Sequence, residues 1–247
     1  MSKLVWDKSD ERFWQTGIEQ VALFIKTSSV TNNTNYGTGI AWSGVSSIAE
    51  SPSGAESNKV YADNVEYLNL ISAEELGLTL TAYDSPTEFD QCDGMATVTP
   101  GVVFGQQNRK EFGLAYKSRI GTNADGDSYG YKIHLVYNCK ASPSERTYNT
   151  VNESPEALEF SWTISTTKEH IGSITVGGVT TAYKDIAMIT IDSRDFKTED
   201  QKAALKSFEE QLWGRDADAT ATPEVTALTP TLLTPAAVVA ALYVAAG

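Results

Sequence analysis

The chain carries few side chains that act as nucleophiles or general bases at neutral pH. Its histidines are His134 and His170, and its cysteines are Cys92 and Cys139. His134 falls on the polar face of a predicted strand, where an exposed or hydrogen-bonded side chain is the simplest interpretation. Cys92 follows a predicted short helix, at the end whose dipole does not lower a thiol pKa. Neither context favours nucleophilic catalysis, and two histidines leave little material for a histidine-based metal site.

Paired carboxylates are the other candidates for chemistry. Glu74-Glu75, or Asp90 with Asp93, could serve as general acid and base. With 32 acidic residues such pairs arise freely, so a solvated surface is the simpler interpretation. A β-sandwich hydrolase using such a pair is an alternative that composition alone supports. Residues 123–127 are superficially similar to a calcium loop but lack the distal bidentate Glu, which favours a hairpin turn.

The short motifs that mark common active sites do not occur in the sequence. It contains no phosphate loop, GxSxG elbow, HExxH, CxxC pair or dinucleotide fingerprint. We therefore expect no enzyme, no catalytic residues, no metal site and no cofactor.

The composition is that of a folded globular protein. The 247 residues are 41% hydrophobic and 21% charged, enough for one large domain or two small ones. The net charge of −13 argues against electrostatic wrapping of nucleic acid, because that needs clustered Lys and Arg. Two cysteines favour a reducing compartment over a disulfide scaffold. The first residues have no apolar stretch of signal-peptide length, so we expect a cytoplasmic start.

Alternation of apolar and polar residues predicts strands along most of the chain. The predicted strands cover residues 21–25, 60–63, 75–83, 112–117, 131–137, 158–166 and 186–191. The strands over 112–117 and 131–137 form a hairpin whose connection contains the turn dipeptide Asp125-Gly126.

Two helices complete the predicted elements. Ser85, Pro86 and Glu88 have capping-box spacing and predict a short helix with Ser85 as its N-cap. An amphipathic helix is predicted over 199–212, with Thr198 as N-cap and Gly214 at its end. The pattern is typical of a mainly β fold, an antiparallel β-sandwich or barrel closed by a helix.

The long segments outside this pattern divide the chain. We predict an N-terminal arm over 1–16, a β domain over 17–215 and a C-terminal extension over 216–247. Inside the β domain, residues 27–58 are rich in Ser, Asn and Gly, and predict an extended loop of a length that usually has a function.

The C-terminal residues 225–247 are uncharged and formally reach membrane-span length. Pro230 and Pro235 interrupt them, and the strongly apolar part, 236–246, is about half a span. We expect no membrane insertion. A flexible tail, a packing segment and an extension that lies on a neighbouring subunit all remain open.

Six segments, in chain order, resemble a known family. The chain is similar there to the major tail protein, the tail-tube subunit, of long-tailed, non-contractile bacteriophages. The segments are 50–56, 61–75, 88–94, 100–107, 129–137 and 152–157. The resemblance as a whole covers roughly residues 17–213, with these six segments as its clearest parts, so the apolar C-terminus lies outside it.

The resemblance implies a structural virion protein with a β-sandwich-like tail-tube fold and no catalytic residues. Identical subunits would form hexameric rings that stack into a tube, the conduit for genome delivery. Its partners would be identical subunits, a tape-measure protein and DNA that pass through the lumen without specific binding, and the tail terminator and distal tail proteins. Its location would be the virion tail, assembled in the host cytoplasm, with no membrane partner.

The negative charge has a physical use in such a tube. A basic wall would bind the passing duplex by counterion release, whereas an acidic wall repels the backbone. We expect Asp63, Glu66, Glu159 and Asp192 to face the lumen, because each flanks or lies in a predicted strand. The alternative is that the charge only provides solubility.

Tyr36, Trp42 and Pro52 are the predicted inter-subunit contacts of the 27–58 loop, with Trp42 as an aromatic anchor. Deletion of residues 30–57 is therefore expected to leave a folded subunit that cannot polymerise. The alternative function is a carbohydrate-binding β-sandwich module, in which Tyr36, Trp42 and Tyr129 stack on sugars.

Overall fold

The computed structural model describes residues 12–31, 33–150, 157–218, 220 and 225–244. Most elements within these ranges are antiparallel strands. The strands are β1 Phe13–Thr31, β2 Thr34–Tyr36, β3 Ile40–Ala41, β4 Val45–Ser53, β5 Ser57–Ala62, β6 Val65–Ile71, β7 Glu75–Ala82, β8 Ala96–Thr99, β9 Val102–Phe104, β10 Phe112–Thr122, β11 Gly126–Ala141, β12 Phe160–Thr166, β13 Ser173–Val176, β14 Val179–Ala182 and β15 Met188–Asp192. The helices are α1 Glu199–Trp213 and α2 Pro235–Leu242, with short 3-10 helices at Thr87–Gln91 and Ser193–Asp195.

One large sheet organises the molecule. Its nine described strands run in the order β2-β1-β10-β11-β12-β7-β4, with β3 added beside β1 and β15 beside β11. The remaining described strands form three separate hairpins, β5–β6, β8–β9 and β13–β14. The fold is mainly β and antiparallel, as the alternation of side chains predicts.

Strand β11 joins the two halves of the sheet. Its residues Lys132–Val136 pair with β15, whereas Cys139–Ala141 pair with β12. An extra residue of β11 separates these pairings, because Phe112 lies opposite Cys139 but Leu114 lies opposite Val136. Such a bulge bends a strand. The bend folds β12, β7 and β4 over one face of β1, β10 and β11, which makes a sandwich-like core between the halves.

Aromatic side chains fill the space between the two halves. The ring of Phe89 lies 4.5 Å from Trp42 and 5.5 Å from Trp162, centroid to centroid. All three are at most 3% exposed. Leu23, Leu80 and further buried side chains from both halves surround them. This cluster is the first and larger of the two hydrophobic cores of the fold.

A second core lies on the other face of β1, β10 and β11. Helix α1 begins at a capping box, in which the Thr198 hydroxyl accepts from the Gln201 backbone and the Gln201 side chain accepts from the Thr198 backbone. Its buried residues Leu205, Phe208 and Leu212 pack on that face. The central strands are thus covered on both faces. The predicted helix over 199–212, its N-cap and its end at Gly214 are confirmed.

The C-terminal segment is also part of the second core. Leu232, Leu233 and Val238 are each at most 4% exposed and pack with Phe208 of α1. Of the three interpretations of the apolar C-terminus, the packing segment is therefore the one that describes residues 232–242. No described helix is both long and apolar enough to span a bilayer.

Two details of the prediction are wrong: the N-cap of the short helix, and the absence of strands from residues 27–58. The short helix is a 3-10 helix at Thr87–Gln91 whose N-cap is Pro86, without a side-chain capping bond. The Ser85 backbone instead donates to Asp84. The 27–58 loop contains β2, β3, β4 and the start of β5, because pairing with β1 and β7 satisfies backbone groups that weak alternation left unassigned. The predicted N-terminal arm, 1–16, lies mostly outside the described residues, and Phe13–Thr16 begin β1.

Candidate interaction surfaces

The β5–β6 hairpin is the longest fully exposed hairpin of the described chain. Every residue of β5 and of β6 is solvent-exposed, on both faces of the ribbon. Its tip is formed by Asp63 and Asn64, with φ of 53° and 63°, the left-handed pair typical of a type I′ turn. The turn chemistry therefore specifies a tight hairpin that projects from β4 and β7 without packing against the core.

This hairpin carries large apolar side chains on both faces. Val60 pairs with Leu68, and Asn58 with Leu70, which places Val60, Leu68 and Leu70 on one face. These three are 38%, 46% and 54% exposed. Tyr67 and Ile71, which alternate with them, are 69% and 68% exposed. A two-stranded ribbon of this kind is at best marginally stable alone in water. Packing of a second surface against each face would stabilise it.

The β8–β9 hairpin is a smaller version of the same arrangement. All its residues are exposed, and they include Val98, Val102, Val103 and Phe104. Next to it, the carboxylate of Asp93 accepts from Arg109 Nη1 at 3.1 Å and from Arg146, and is 8% exposed. This buried ion cluster secures the chain beside the exposed hairpin.

The β13–β14 hairpin differs because one of its faces turns toward the protein. Ile174 and Val176 are half-buried and alternate with exposed Ser173 and Thr175. Ile174 and Val176 line an open groove of about 510 Å³ that the first turns of α2 close on the other side.

The four predicted lumen carboxylates lie in three parts of the fold, and two of them share the β5–β6 hairpin. Asp63 is at the β5–β6 tip, and Glu66 of β6 pairs with Lys59 Nζ at 2.8 Å. Glu159 precedes β12 and accepts from Ser46 Oγ at 2.5 Å. Asp192 ends β15. The single subunit brings Asp63 and Glu66 together near the hairpin tip but does not join Glu159 and Asp192 to them, and the orientation of all four in a tube stays a prediction.

Asp192 is electrostatically compensated. Arg194 donates to both its carboxylate oxygens, at 2.9 and 2.6 Å. The Arg194 hydrogen bonds lower the pKa of Asp192, against the opposing effect of burial. Of the four carboxylates it therefore presents the least free negative charge to a passing polyanion.

The predicted contacts Tyr36 and Trp42 are corrected by the structure. Tyr36 is 4% exposed, and its hydroxyl donates to Asn138 Oδ1 at 3.2 Å. Trp42 is 3% exposed, and its indole donates to the Asp84 carbonyl at 2.9 Å. Both are core residues, since the 27–58 segment pairs with the sheet. Pro52 is exposed on β4, and its role as a contact stays a prediction.

These positions change two further expectations. Deletion of residues 30–57 would remove Trp42, β3 and β4, so it would disrupt the core and not only assembly. A sugar platform of Tyr36, Trp42 and Tyr129 does not form, because only Tyr129 is exposed, and its ring lies 5.1 Å from that of Phe13.

The arrangement around His134 is similar to a catalytic relay only in composition. Ser118 Oγ lies 2.9 Å from His134 Nε2, but Nδ1 lies 3.8 Å from Glu50 Oε1, beyond hydrogen-bond distance. That carboxylate oxygen accepts from the Tyr116 hydroxyl at 2.7 Å. Burial lowers the pKa of His134, with Lys132 adding to the effect and Glu50 opposing it. The geometry holds β4 against β10 and β11 and does not form the Ser–His–carboxylate contacts of acyl transfer.

Metal-binding geometry is likewise not found among the described residues, where no three His, Cys, Asp or Glu side chains form a group that could hold an ion. Cys92 and Cys139 are buried free thiols. Burial raises the pKa of the Cys92 thiol to about 12, which keeps it protonated and unreactive.

Sequence reasoning missed the β5–β6 hairpin as a unit. It placed a strand at 60–63 and ended the extended loop at 58. The available signal was the apolar run from Val65 to Ile71 after the turn pair Asp63-Asn64. Because apolar residues fall on both faces there, the run lacks the one-sided alternation that marks a strand against a core.

No protein-family model and no curated protein matches this chain. Among solved structures, the chain is similar to a chain of the PVC sheath–tube complex of an extracellular contractile injection system in its extended state. The two are 11% identical, with 70% of this chain and 88% of the other covered, at a TM-score of 0.28. That score is too low for the likeness to support an inference about function.

Proposed function

We propose that this chain is the structural subunit of a bacteriophage tail tube, without catalytic activity. Identical copies would form hexameric rings, and the rings would stack into the tube of a long-tailed, non-contractile phage through which the genome is delivered. The observation that carries the proposal is the β5–β6 hairpin, whose two apolar faces are uncovered in the single subunit. The six segments similar to the tail-tube family supply the kind of assembly.

The exposed apolar area of the hairpin is that of a protein interface. Val60, Tyr61, Val65, Tyr67, Leu68, Leu70 and Ile71 are its seven large hydrophobic side chains exposed by 38% or more. Covering them would remove roughly 700 Å² of one copy from water, near the ~800 Å² per partner of a standard interface. Exposed apolar surface of this extent marks an interaction site.

Other copies of the same chain are the simplest partners that could cover these apolar side chains. The hairpin, the smaller β8–β9 hairpin and the groove beside β13–β14 are different surfaces, so contacts between copies would be heterologous. Heterologous contacts close into rings when the rotation closes and extend into filaments when it does not. A stacked-ring tube uses both kinds.

The net charge of −13 supports the proposed conduit. A wall with an acidic surplus repels the DNA backbone, which would keep the duplex and a tape-measure protein moving through the lumen without specific binding. We assign this role to the acidic surplus as a whole. Asp63 and Glu159 are the leading candidates, while Glu66 is paired with Lys59 and Asp192 with Arg194.

Negative-stain electron microscopy of concentrated protein tests the proposal. Wild-type protein should form rings or tubes. A variant in which residues 57–71 are replaced by a Gly-Ser turn should stay a folded monomer with the wild-type melting temperature, since these residues contribute nothing to either core.

The matched control replaces the turn residues 123–125 of the β10–β11 hairpin with Gly and Ser, which leaves the β5–β6 hairpin intact. This control should polymerise as wild type does. A wild-type protein that is monomeric at every concentration would contradict the proposal. Tubes formed without residues 57–71 would contradict the role that it gives to the β5–β6 hairpin.

A further inference from the structure

The groove between the β13–β14 hairpin and α2 is apolar and is left open by the part of the chain that the structure describes. Its aliphatic lining comes from Ile174 and Val176 of β13, Ile186 and Ile189 near β15, and Pro235 and Val239 of α2. Its volume of about 510 Å³ is that of a ligand cleft. Small-ligand sites carry a few convergent polar groups that orient the ligand. In this lining the polar side chains are those of Lys184 and Tyr183, so the groove favours an apolar protein surface over a small polar ligand.

We infer that this groove receives the β5–β6 hairpin of a second copy of this chain, an inference that rests on the proposed function and names the surface through which two subunits meet. The face formed by Val60, Leu68 and Leu70 is the part that enters. It presents a row of branched aliphatic side chains to a groove lined by the same kind of side chain.

The size of the exposed surface favours this hairpin over the β8–β9 hairpin as the occupant. The β5–β6 hairpin exposes seven large hydrophobic side chains, against Val98, Val102, Val103 and Phe104 in β8–β9. Counted over both faces, this area approaches what one partner contributes to a stable interface, roughly 800 Å²; the groove would cover the face formed by Val60, Leu68 and Leu70, and further contacts between copies would cover the other face. The β8–β9 hairpin falls well short of that area.

Charge is complementary between the two surfaces. Asp63 at the hairpin tip and Lys184 at the groove have no ion-pair partner in the part of the chain that the structure describes. The hairpin carries Lys59, Asp63 and Glu66, a net charge of 1 − 2 = −1. A rim contact of this kind orients the docked hairpin and adds little affinity.

The β5–β6 hairpin does not fill the groove of its own subunit. Every residue of β5 and β6 remains exposed, although the base of the hairpin starts close by. Glu74 and Leu76, which follow the hairpin, line a cleft together with Ile186, and Ile186 also lines the groove. The hairpin therefore leads away from its own groove and is free to enter a neighbour's.

Mixed cross-linking tests the contact. Leu68→Cys and Val239→Cys are made in separate chains, mixed, allowed to assemble and treated with a short bismaleimide. The native thiols Cys92 and Cys139 are 0% exposed, so they should not react with the cross-linker. The expected result is a covalent heterodimer in at least tenfold higher yield than with Val103→Cys, on the β8–β9 hairpin, in place of Leu68→Cys.

A charge placed in the groove gives a second test. Val239→Glu should raise the concentration needed for assembly at least tenfold. Ala240→Glu is its matched control, because Ala240 is the exposed neighbour on the same helix, and it should change that concentration less than twofold. Equal melting temperatures of the two variants would show that both fold.

The outcomes separate this inference from the proposed function. Wild-type tubes without the Leu68–Val239 cross-link, or tubes of Val239→Glu at the wild-type concentration, overturn the docking site while the tube stands. A cross-link formed only within one doubly substituted chain overturns it as well. A mixed cross-link without rings or tubes supports the docking site and contradicts the tube.

Discussion

Two antiparallel hairpins of this protein have similar local sequence character and opposite surroundings. In β10–β11, Leu114 and Tyr116 face one core while Ala115 and Leu135 face the other. In β5–β6, the apolar side chains on both faces meet solvent. A ribbon with apolar side chains on both faces needs a packing partner on each face. In β10–β11 both partners come from the same chain, and in β5–β6, as we propose, they come from other copies.

The energetic role of the two hairpins differs for the same reason. Burial of apolar area within the chain contributes to the free energy of unfolding. Burial against another copy contributes to association, and it stabilises the fold only at concentrations where association occurs. Substitutions in the two regions should therefore separate a stability effect from an assembly effect.

Removal of the C-terminal segment should have the largest effect. Truncation after Thr229 deletes Leu232, Leu233 and Val238 from the second core. Each such loss costs about 2–5 kcal/mol, and together they approach the ~5–15 kcal/mol that stabilises a typical domain. We expect an insoluble or unfolded protein, measured by circular dichroism. A cooperative transition at the wild-type temperature would show that the segment is a dispensable appendage.

The substitution Phe208→Ala should have the second-largest effect on stability. The side chain is 2% exposed and packs between α1 and the central strands. Its truncation should cost about 3–5 kcal/mol, measured by urea unfolding, because the helix cannot collapse fully onto the cavity. Lys206→Ala, at an exposed position of the same helix, is the control and should change little. A near-zero value for Phe208→Ala would contradict its place in the core.

A small effect of pH is expected at His134. Because burial lowers its folded-state pKa below the ordinary ~6.5, the unfolded chain takes up the proton first as the pH falls. This contribution to stability is present above ~6.5 and is lost as the pH drops through the lower folded-state pKa. His134→Gln should flatten the decrease in urea midpoint between pH 7.5 and pH 5. An unchanged pH profile would mean that other groups cause the decrease.

The smallest effect on the single subunit should come from the β5–β6 hairpin. Leu70→Ser removes a side chain that is 54% exposed, so the free energy of unfolding of dilute protein should stay within ~0.5 kcal/mol of wild type. Assembly in the electron microscope should nevertheless weaken. A loss of stability like that of Phe208→Ala would mean that the hairpin packs on its own subunit and would break the contrast between the two regions.

The elements predicted well are those with strong local signals. Helix α1 has both its N-cap Thr198 and its terminating Gly214 in the sequence. Strand β7 has strict alternation of Leu76, Leu78 and Leu80, and the structure gives it the bounds Glu75–Ala82 against the predicted 75–83. In these segments, capping and side-chain period point to the same structure.

The predictions that were wrong concern the burial of a residue by segments distant in the sequence. Tyr36 and Trp42 are aromatic residues in a polar segment, which is equally compatible with an exposed anchor and with a core. The packing of the C-terminal segment depends on the close approach of Leu232 to Gly113 of β10, which no local sequence pattern indicates. A methyl group at Gly113 would lie 2.4 Å from Leu232 Cδ2, so the fit of this segment rests on a glycine distant in sequence.

A mainly β, acidic chain with one capped amphipathic helix and a hairpin turn at Asp125-Gly126 follows from the amino-acid sequence alone, because capping, turn residues and side-chain period act over a few residues. Only the tertiary structure decided that Trp42 and Leu232 lie in cores while Tyr67 and Leu70 meet solvent. Burial depends on which distant segments meet, and the same apolar side chain stabilises a fold or an assembly according to which surface finally covers it.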